Sequence, residues 1–224
     1  MPEESLTRWL LLQEAVVAFD EDRARSLAGQ VLTEGLDVRQ AVMSGLVAGL
    51  NQTGALYDQG EYFLPELVMA AEAFLAGLEA LAPGLVRAAG QGFPRGWLLL
   101  GSGEEKIEAF SRRLLTAFFS QVGLEIRDLA AGVRLEDYLR DNLQPGLDVL
   151  CLPLHLNAVQ LDPAKLVELI RELSPRTVPL LGYSWSMDES PESSWSEPGF
   201  FPTGNPLREA VALIAGYSKV LGPA

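Results

Sequence analysis

"PGLVRAAGQGFPRGWLLLG" occupies residues 83–101 and separates two patterns of hydrophobicity. Before it, apolar residues recur every three or four positions, the period of a buried helix face. After it, short apolar runs alternate with helical stretches, the pattern of a parallel sheet covered by helices. The Pro- and Gly-rich composition between Pro83 and Gly96 marks a joint. The fold class that follows is α/β: an N-terminal four-helix bundle and then a flavodoxin-like, doubly wound parallel sheet. The expected boundaries are a helical domain over 1–83, a linker over 84–96 and a sheet domain over 97–224.

Upstream, Leu6, Trp9, Leu10, Gln13 and Val17 predict a first helix. A second runs near Glu21–Glu34 and stops at Gly35, a residue suited to the left-handed turn after a helix. Asp37 is a good N-cap for a third helix through "VRQAVMSGLVAGLNQTGALY". Ser44, Gly45, Ala48, Gly49, Gly54 and Ala55 are small enough for a neighbouring helix to approach closely. The fourth helix is "LPELVMAAEAFLAGLEALA", with Pro65 in its first turn, where the missing N–H costs nothing. Downstream, "GWLLLG" (96–101), "LEIRDLA" (124–130), "LDVLCLP" (147–153) and "TVPLLGY" (177–183) read as four strands. Helices fall between them, and a last one is expected over 205–217. Right-handed crossovers place the ligand edge of such a sheet at the strands' carboxyl ends.

Composition excludes several functions. The chain of 224 residues carries 17 basic and 30 acidic side chains, a net charge of −13. That field repels nucleic acid and anionic lipid. One cysteine, Cys151, permits no intrachain disulfide, and one histidine, His155, permits no two-histidine metal motif. The first residues, "MPEESLTRWLLL", have acids where a signal peptide carries bases, and no apolar run is read as approaching the about 20 residues of a membrane span. The expectation is a cytoplasmic protein that binds neither nucleic acid nor membrane. "GSG" (101–103) is too short for a dinucleotide fingerprint. Glu104, Glu105 and Glu108 suit the positive end of a helix dipole, and the residues assemble no catalytic constellation.

Three motifs lie in order within 34–81: "EGLD" (34–37), "GEYFLPEL" (60–67) and "MAAEA" (69–73). With the order bundle, joint, flavodoxin-like domain, they resemble the corrinoid (cobalamin-binding) proteins of methyltransferase systems and methionine synthase. The resemblance implies a cap whose apolar residues shield the upper face of a corrin ring, with Tyr62, Phe63, Leu64 and Met69 as its roof. It also implies a methyl-group carrier serving partner methyltransferases rather than a stand-alone enzyme, and it leaves a homodimer open. The same four residues could equally seal the bundle against the second domain.

The family also has an Asp-x-His-x-x-Gly motif after the first strand, whose histidine coordinates cobalt. Here those positions fall on Lys106, Glu108 and Ser111, and residues 1–154 contain no histidine. Cofactor contacts implied for this half are Ser102, Gly103, Glu108 and Ser111 in the first loop and helix, Leu154 and His155 after the third strand, Gly182, Tyr183 and Ser184 after the fourth, and Thr203. His155 is the candidate metal ligand. Three readings stay open: a corrinoid bound without the usual lower histidine, haem or another tetrapyrrole, or a cofactor-free regulatory relative. The acidic, aromatic segment 185–203, with Trp185, Trp195, Phe200 and Phe201, reads as a surface loop or as a lid over the ligand edge.

Overall fold

The computed structural model describes residues 3–89, 95–101, 106–143, 145–153, 163–184 and 200–203, with Ala210, Leu213, Ile214 and Tyr217. The chain divides into two compact units, one from Met1 to Phe93 and one from Pro94 to Tyr217.

The first unit is helical. α1 spans Glu3–Val17 and α2 spans Glu21–Thr33. Asp20 caps α2 by accepting the Arg23 N–H at 2.9 Å. Gly35 follows with φ +66°, as its expected role required. Asp37 then accepts the N–H groups of Arg39 and Gln40 and starts a third helical run. That run has three parts: α3 (Val38–Gln40), a π-helical stretch (Ala41–Val47) and α4 (Ala48–Asp58). The π-helical stretch and the start of α4 pass close to α1. A Cβ on Gly45 would sit 2.8 Å from Leu12 Cβ, and one on Gly49 would sit 2.6 Å from Val16 Cβ. Of the small residues singled out above, these two admit α1, while Ser44 and Ala55 face outward. Arg8, near the start of α1, donates to Gln30 and Glu34 at the end of α2, so the two helices run antiparallel.

α5 (Leu64–Ala89) is the core helix of this unit. Phe63 is its N-cap, and Glu66 accepts the Phe63 N–H at 3.0 Å, half of a capping box. Two expectations are corrected here. The joint does not begin at residue 84, because α5 continues through Pro83 to Ala89. Leu81 and Leu85 are buried and Gly84 lies against Leu32 and Val38, so packing carries the helix past a proline that sequence rules treat as a stop. Leu64–Arg87 is also long and apolar enough to cross a membrane, contrary to the reading that no segment is; its burial within the bundle identifies a core helix.

The second unit is a five-stranded parallel sheet in the order β2-β1-β3-β4-β5. The strands are β1 (Gly96–Leu100), β2 (Glu125–Asp128), β3 (Val149–Pro153), β4 (Val178–Ser184) and β5 (Phe200–Thr203). α6 (Lys106–Gln121) connects β1 to β2, α7 (Leu135–Asn142) connects β2 to β3, and α8 (Pro163–Leu173) connects β3 to β4. β1 and β3 are buried along their whole length, as central strands of a doubly wound sheet must be. On one face Trp97, Leu99, Leu150 and Leu152 pack with Leu135 and Leu139 of α7 and Leu166 and Ile170 of α8. Against the other lies α6, whose Phe118 and Phe119 meet the Tyr217 ring edge to face at 6.2 and 5.1 Å. Ala210, Leu213, Ile214 and Tyr217 are helical and buried at i, i+3, i+4 and i+7, one face of the expected last helix.

β5 is a correction to the four strands expected. Its four residues include Pro202, which demotes a run to edge or non-strand on sequence grounds. The structure uses it where proline is tolerated, at the end of the sheet beside β4. Cys151 is buried in β3, and burial pushes its thiol well above its ordinary value, so it is an inert core residue.

Candidate functional site

In the helical unit the expected roof residues have different surroundings. Tyr62 is half-buried. Its hydroxyl donates to the Val17 carbonyl at 3.1 Å and its ring meets Phe19 at 5.3 Å, tying the start of α5 to the end of α1. Leu64 is half-buried. Phe63 and Met69 are the outward pair, 65% and 44% exposed. A phenyl ring left in water at a helix cap contributes nothing to the bundle's core. These two therefore remain available to an apolar ligand or surface, whereas Tyr62 is engaged in packing.

In the sheet unit, parallel register gathers the carboxyl ends of all five strands along one edge. Leu100 pairs with Asp128 across β1 and β2, and Pro153 with Gly182 across β3 and β4. Tyr183 pairs with Pro202 and Ser184 with Thr203 across β4 and β5. Four of the implied contacts, Gly182, Tyr183, Ser184 and Thr203, thus share the ends of two adjacent strands. The strand order reverses between β1 and β3, the crevice where ligands enter doubly wound sheets.

Two implied contacts belong to α6. Glu108 is half-buried in its first turn. Ser111 is fully buried, so its hydroxyl belongs to the packed interior rather than to the open edge. Ser102, Gly103, Leu154 and His155 lie outside the described residues, as do Trp185 and Trp195. Among the described residues, no group of three or more His, Cys, Asp or Glu side chains could hold a metal ion. A corrin does not need one, because its macrocycle supplies four nitrogens to its own cobalt. Each unit by itself offers features that suit such a group: an exposed apolar pair, Phe63 and Met69, on the helical unit, and the gathered carboxyl strand ends on the sheet unit.

One residue at this edge was not expected. Arg112 of α6 donates through Nη1 to the Gly101 carbonyl at 2.9 Å, just past the end of β1, and through Nη2 to the carboxylate of Asp128, the last residue of β2. Nothing in the local sequence announces the pair, since Arg112 and Asp128 meet only once β1 and β2 are neighbours. At the opposite, amino-terminal edge, Arg95, Trp97, Gly123, Glu125 and Gly146 line a pocket of about 360 Å³. There the Arg127 guanidinium lies 3.7 Å over the Trp97 ring and pairs with Glu125 at 2.9 Å. That pocket sits at the wrong end of the strands for the ligand edge of this fold.

Comparison with known proteins bears on the first unit most directly. Residues 11–82 match the family described as the B12 binding domain. The chain is 29% identical to a corrinoid protein of Desulfitobacterium hafniense over 166 residues, covering 74% of this chain and 77% of that one. It is 25% identical to trimethylamine corrinoid protein 2 of Methanosarcina acetivorans over 164 residues, 73% of this chain and 76% of that one. In fold it is similar to the monomethylamine corrinoid protein of Methanosarcina barkeri, with a TM-score of 0.50 and 20% identity over 91% of this chain and 95% of that one.

Proposed function

We infer that the chain belongs with the corrinoid proteins of methyltransferase systems, and that it binds cobalamin or a related corrinoid and carries methyl groups for partner methyltransferases. The observation that carries this reading is the match of residues 11–82 to the B12 binding domain, in a chain that continues into a parallel sheet of order 2-1-3-4-5. The bound cobalt supplies the centre that accepts and releases a methyl group. The chain's own part is to hold the macrocycle and keep water from that face. Phe63 and Met69 suit the second task, since both are apolar and outward. Ser184 and Thr203 stand at the carboxyl ends of β4 and β5, where the resemblance implies contacts to the cofactor.

The lower side differs from the pattern of the resembled family. No histidine occurs in residues 1–154, so we propose that the corrinoid is held without the usual axial histidine from the first loop, with its own base or water below cobalt and His155 as the remaining imidazole candidate. We further propose that the helical and sheet units are separate domains, and that the protein works in the cytoplasm.

Titration with hydroxocobalamin tests the core of this. The expected result is a shift of the visible band with saturating quenching of tryptophan fluorescence. The absence of both would overturn corrinoid binding and leave the cofactor-free reading. In the cobalt(II) form, electron paramagnetic resonance should show nitrogen coupling that follows replacement of the cofactor's base. Coupling that ignores the base and disappears in His155→Ala would assign the axial position to His155.

A further inference from the structure

We propose that Phe19 is a positioning residue of the corrinoid site, holding the mouth of α5 through Tyr62 so that Phe63 is presented to the ligand; this rests on the corrinoid reading above. Phe19 has φ +62°, the one positive value on a non-glycine among the described residues. It lies two residues past the end of α1 in a hydrogen-bonded turn. Its N–H donates to the Val16 carbonyl at 3.1 Å, and the Asp20 N–H donates to the Ala15 carbonyl at 2.9 Å. Three other helices close with the same pair of bonds: α2 on Gly35, α4 on Gly60 and α6 on Gly123, with φ of +66°, +74° and +81°. Glycine is what this left-handed position favours, because a Cβ there crowds the following carbonyl. A bulky ring in the same place is strained, and such strain persists where the surroundings use what it carries.

The ring's partner is Tyr62, 5.3 Å away and tilted by 52°, within the range aromatic pairs favour. The Tyr62 hydroxyl donates at 3.1 Å to the carbonyl of Val17, one of those a helix end leaves without an intrahelical partner. The Tyr62 N–H donates to the Leu56 carbonyl of α4 at 3.2 Å. Tyr62 is thereby pinned to the ends of two helices, and the next residue is Phe63. A side chain 65% exposed is not held by its own packing, so the backbone on either side sets its direction. On one side stands Tyr62, on the other the bond from the Phe63 N–H to Glu66. Glycine at position 19 would close α1 without strain and would leave the Tyr62 ring without this neighbour.

The test measures hydroxocobalamin affinity and thermal unfolding on the full chain for wild type, Phe19→Gly, Phe63→Ser and the double variant. Phe19→Gly should move the thermal midpoint by less than about 8 °C, since relief of strain offsets part of the lost ring contact. It should nonetheless weaken hydroxocobalamin binding by roughly fivefold or more. Phe19→Tyr keeps a ring and should restore most of that affinity. Adding Phe19→Gly to Phe63→Ser should change affinity by no more than about twofold beyond Phe63→Ser alone, because the positioned group is already gone. Two losses that simply multiply would show Phe19 acting independently of Phe63 and would overturn the proposal. So would either single variant that binds as tightly as wild type. If Phe63→Ser abolishes binding outright, the Phe19→Gly and Phe19→Tyr arms decide alone. If Phe19→Gly fails to fold, Phe19→Asn, which also tolerates the left-handed turn, takes its place. Wild-type protein that binds no hydroxocobalamin would overturn the corrinoid reading, and this assignment with it.

Discussion

The helical unit and the sheet unit keep different things. In the helical unit, residues 11–82 match a cofactor-binding family, and an exposed phenylalanine stands at the mouth of its core helix. The sheet unit keeps the strand order of a ligand-binding sheet, yet the positions where the resembled family carries its histidine motif read Lys106, Glu108 and Ser111. A doubly wound sheet makes a crevice at its strand ends through topology alone, so individual edge residues can change while the crevice persists. A roof over a flat apolar ligand has no such backbone equivalent and depends on particular side chains. The difference teaches that, on the proposed reading, binding would depend on residue identity in one unit and on chain path in the other.

That comparison can be broken by perturbing each unit separately. The largest effect is expected from Phe118→Ala. This ring is fully buried between Phe119 and Tyr217, and its removal should cost about 3–5 kcal/mol. If the units are independent domains, calorimetry will show the sheet transition falling and the helical transition standing. A joint fall would sink the two-domain proposal. Gly49→Val is the mirror experiment: a side chain there meets Val16 Cβ at 2.6 Å and the Gln13 carbonyl at 3.0 Å, so overpacking should cost about 2 kcal/mol or more in the helical unit. Asp37→Ala removes an N-cap that accepts two backbone N–H groups and should cost about 1 kcal/mol in denaturant midpoint analysis, again in that unit alone. Phe63→Ser sharpens the contrast from the other side. With Phe63 65% exposed, its effect on unfolding should stay within about 0.5 kcal/mol. Its effect on hydroxocobalamin affinity should nonetheless be a clear loss, and unchanged affinity would remove Phe63 from the roof.

The parts of the fold legible in the sequence were those fixed by local chemistry. Asp37 and Gly35 act where cap rules place them, and the runs at 96–100 and 149–153 form the central buried strands. The failures have a common cause, which is contact between residues distant in sequence. Pro83 reads as a helix stop, but the burial of Leu85 and the approach of Leu32 and Val38 to Gly84 override it. Phe200–Thr203 is too short and too marked by Pro202 to read as a strand, and it becomes one because β4 offers a free edge. Of the candidate site, Phe63 and Met69 are exposed, while the packing of Tyr62 on Phe19 and the burial of Ser111 depend on partners no motif encodes. Arg112 was missed for the same reason, since its carbonyl partner follows β1 and its carboxylate partner ends β2, far apart in sequence.

Proline at the end of the sheet has a further consequence in a crowded solution. A free strand edge is a template on which another chain can add a strand. Here β5 ends the sheet on one side, and Pro202 lacks the N–H that such an addition requires at its position. On the other side β2 reads Glu125-Ile126-Arg127-Asp128, three charged residues in four. Both margins therefore resist zipping onto neighbours. The sheet cannot easily be extended by another copy, and a partner protein that engages this unit is directed to its faces and loops rather than to its strand edges.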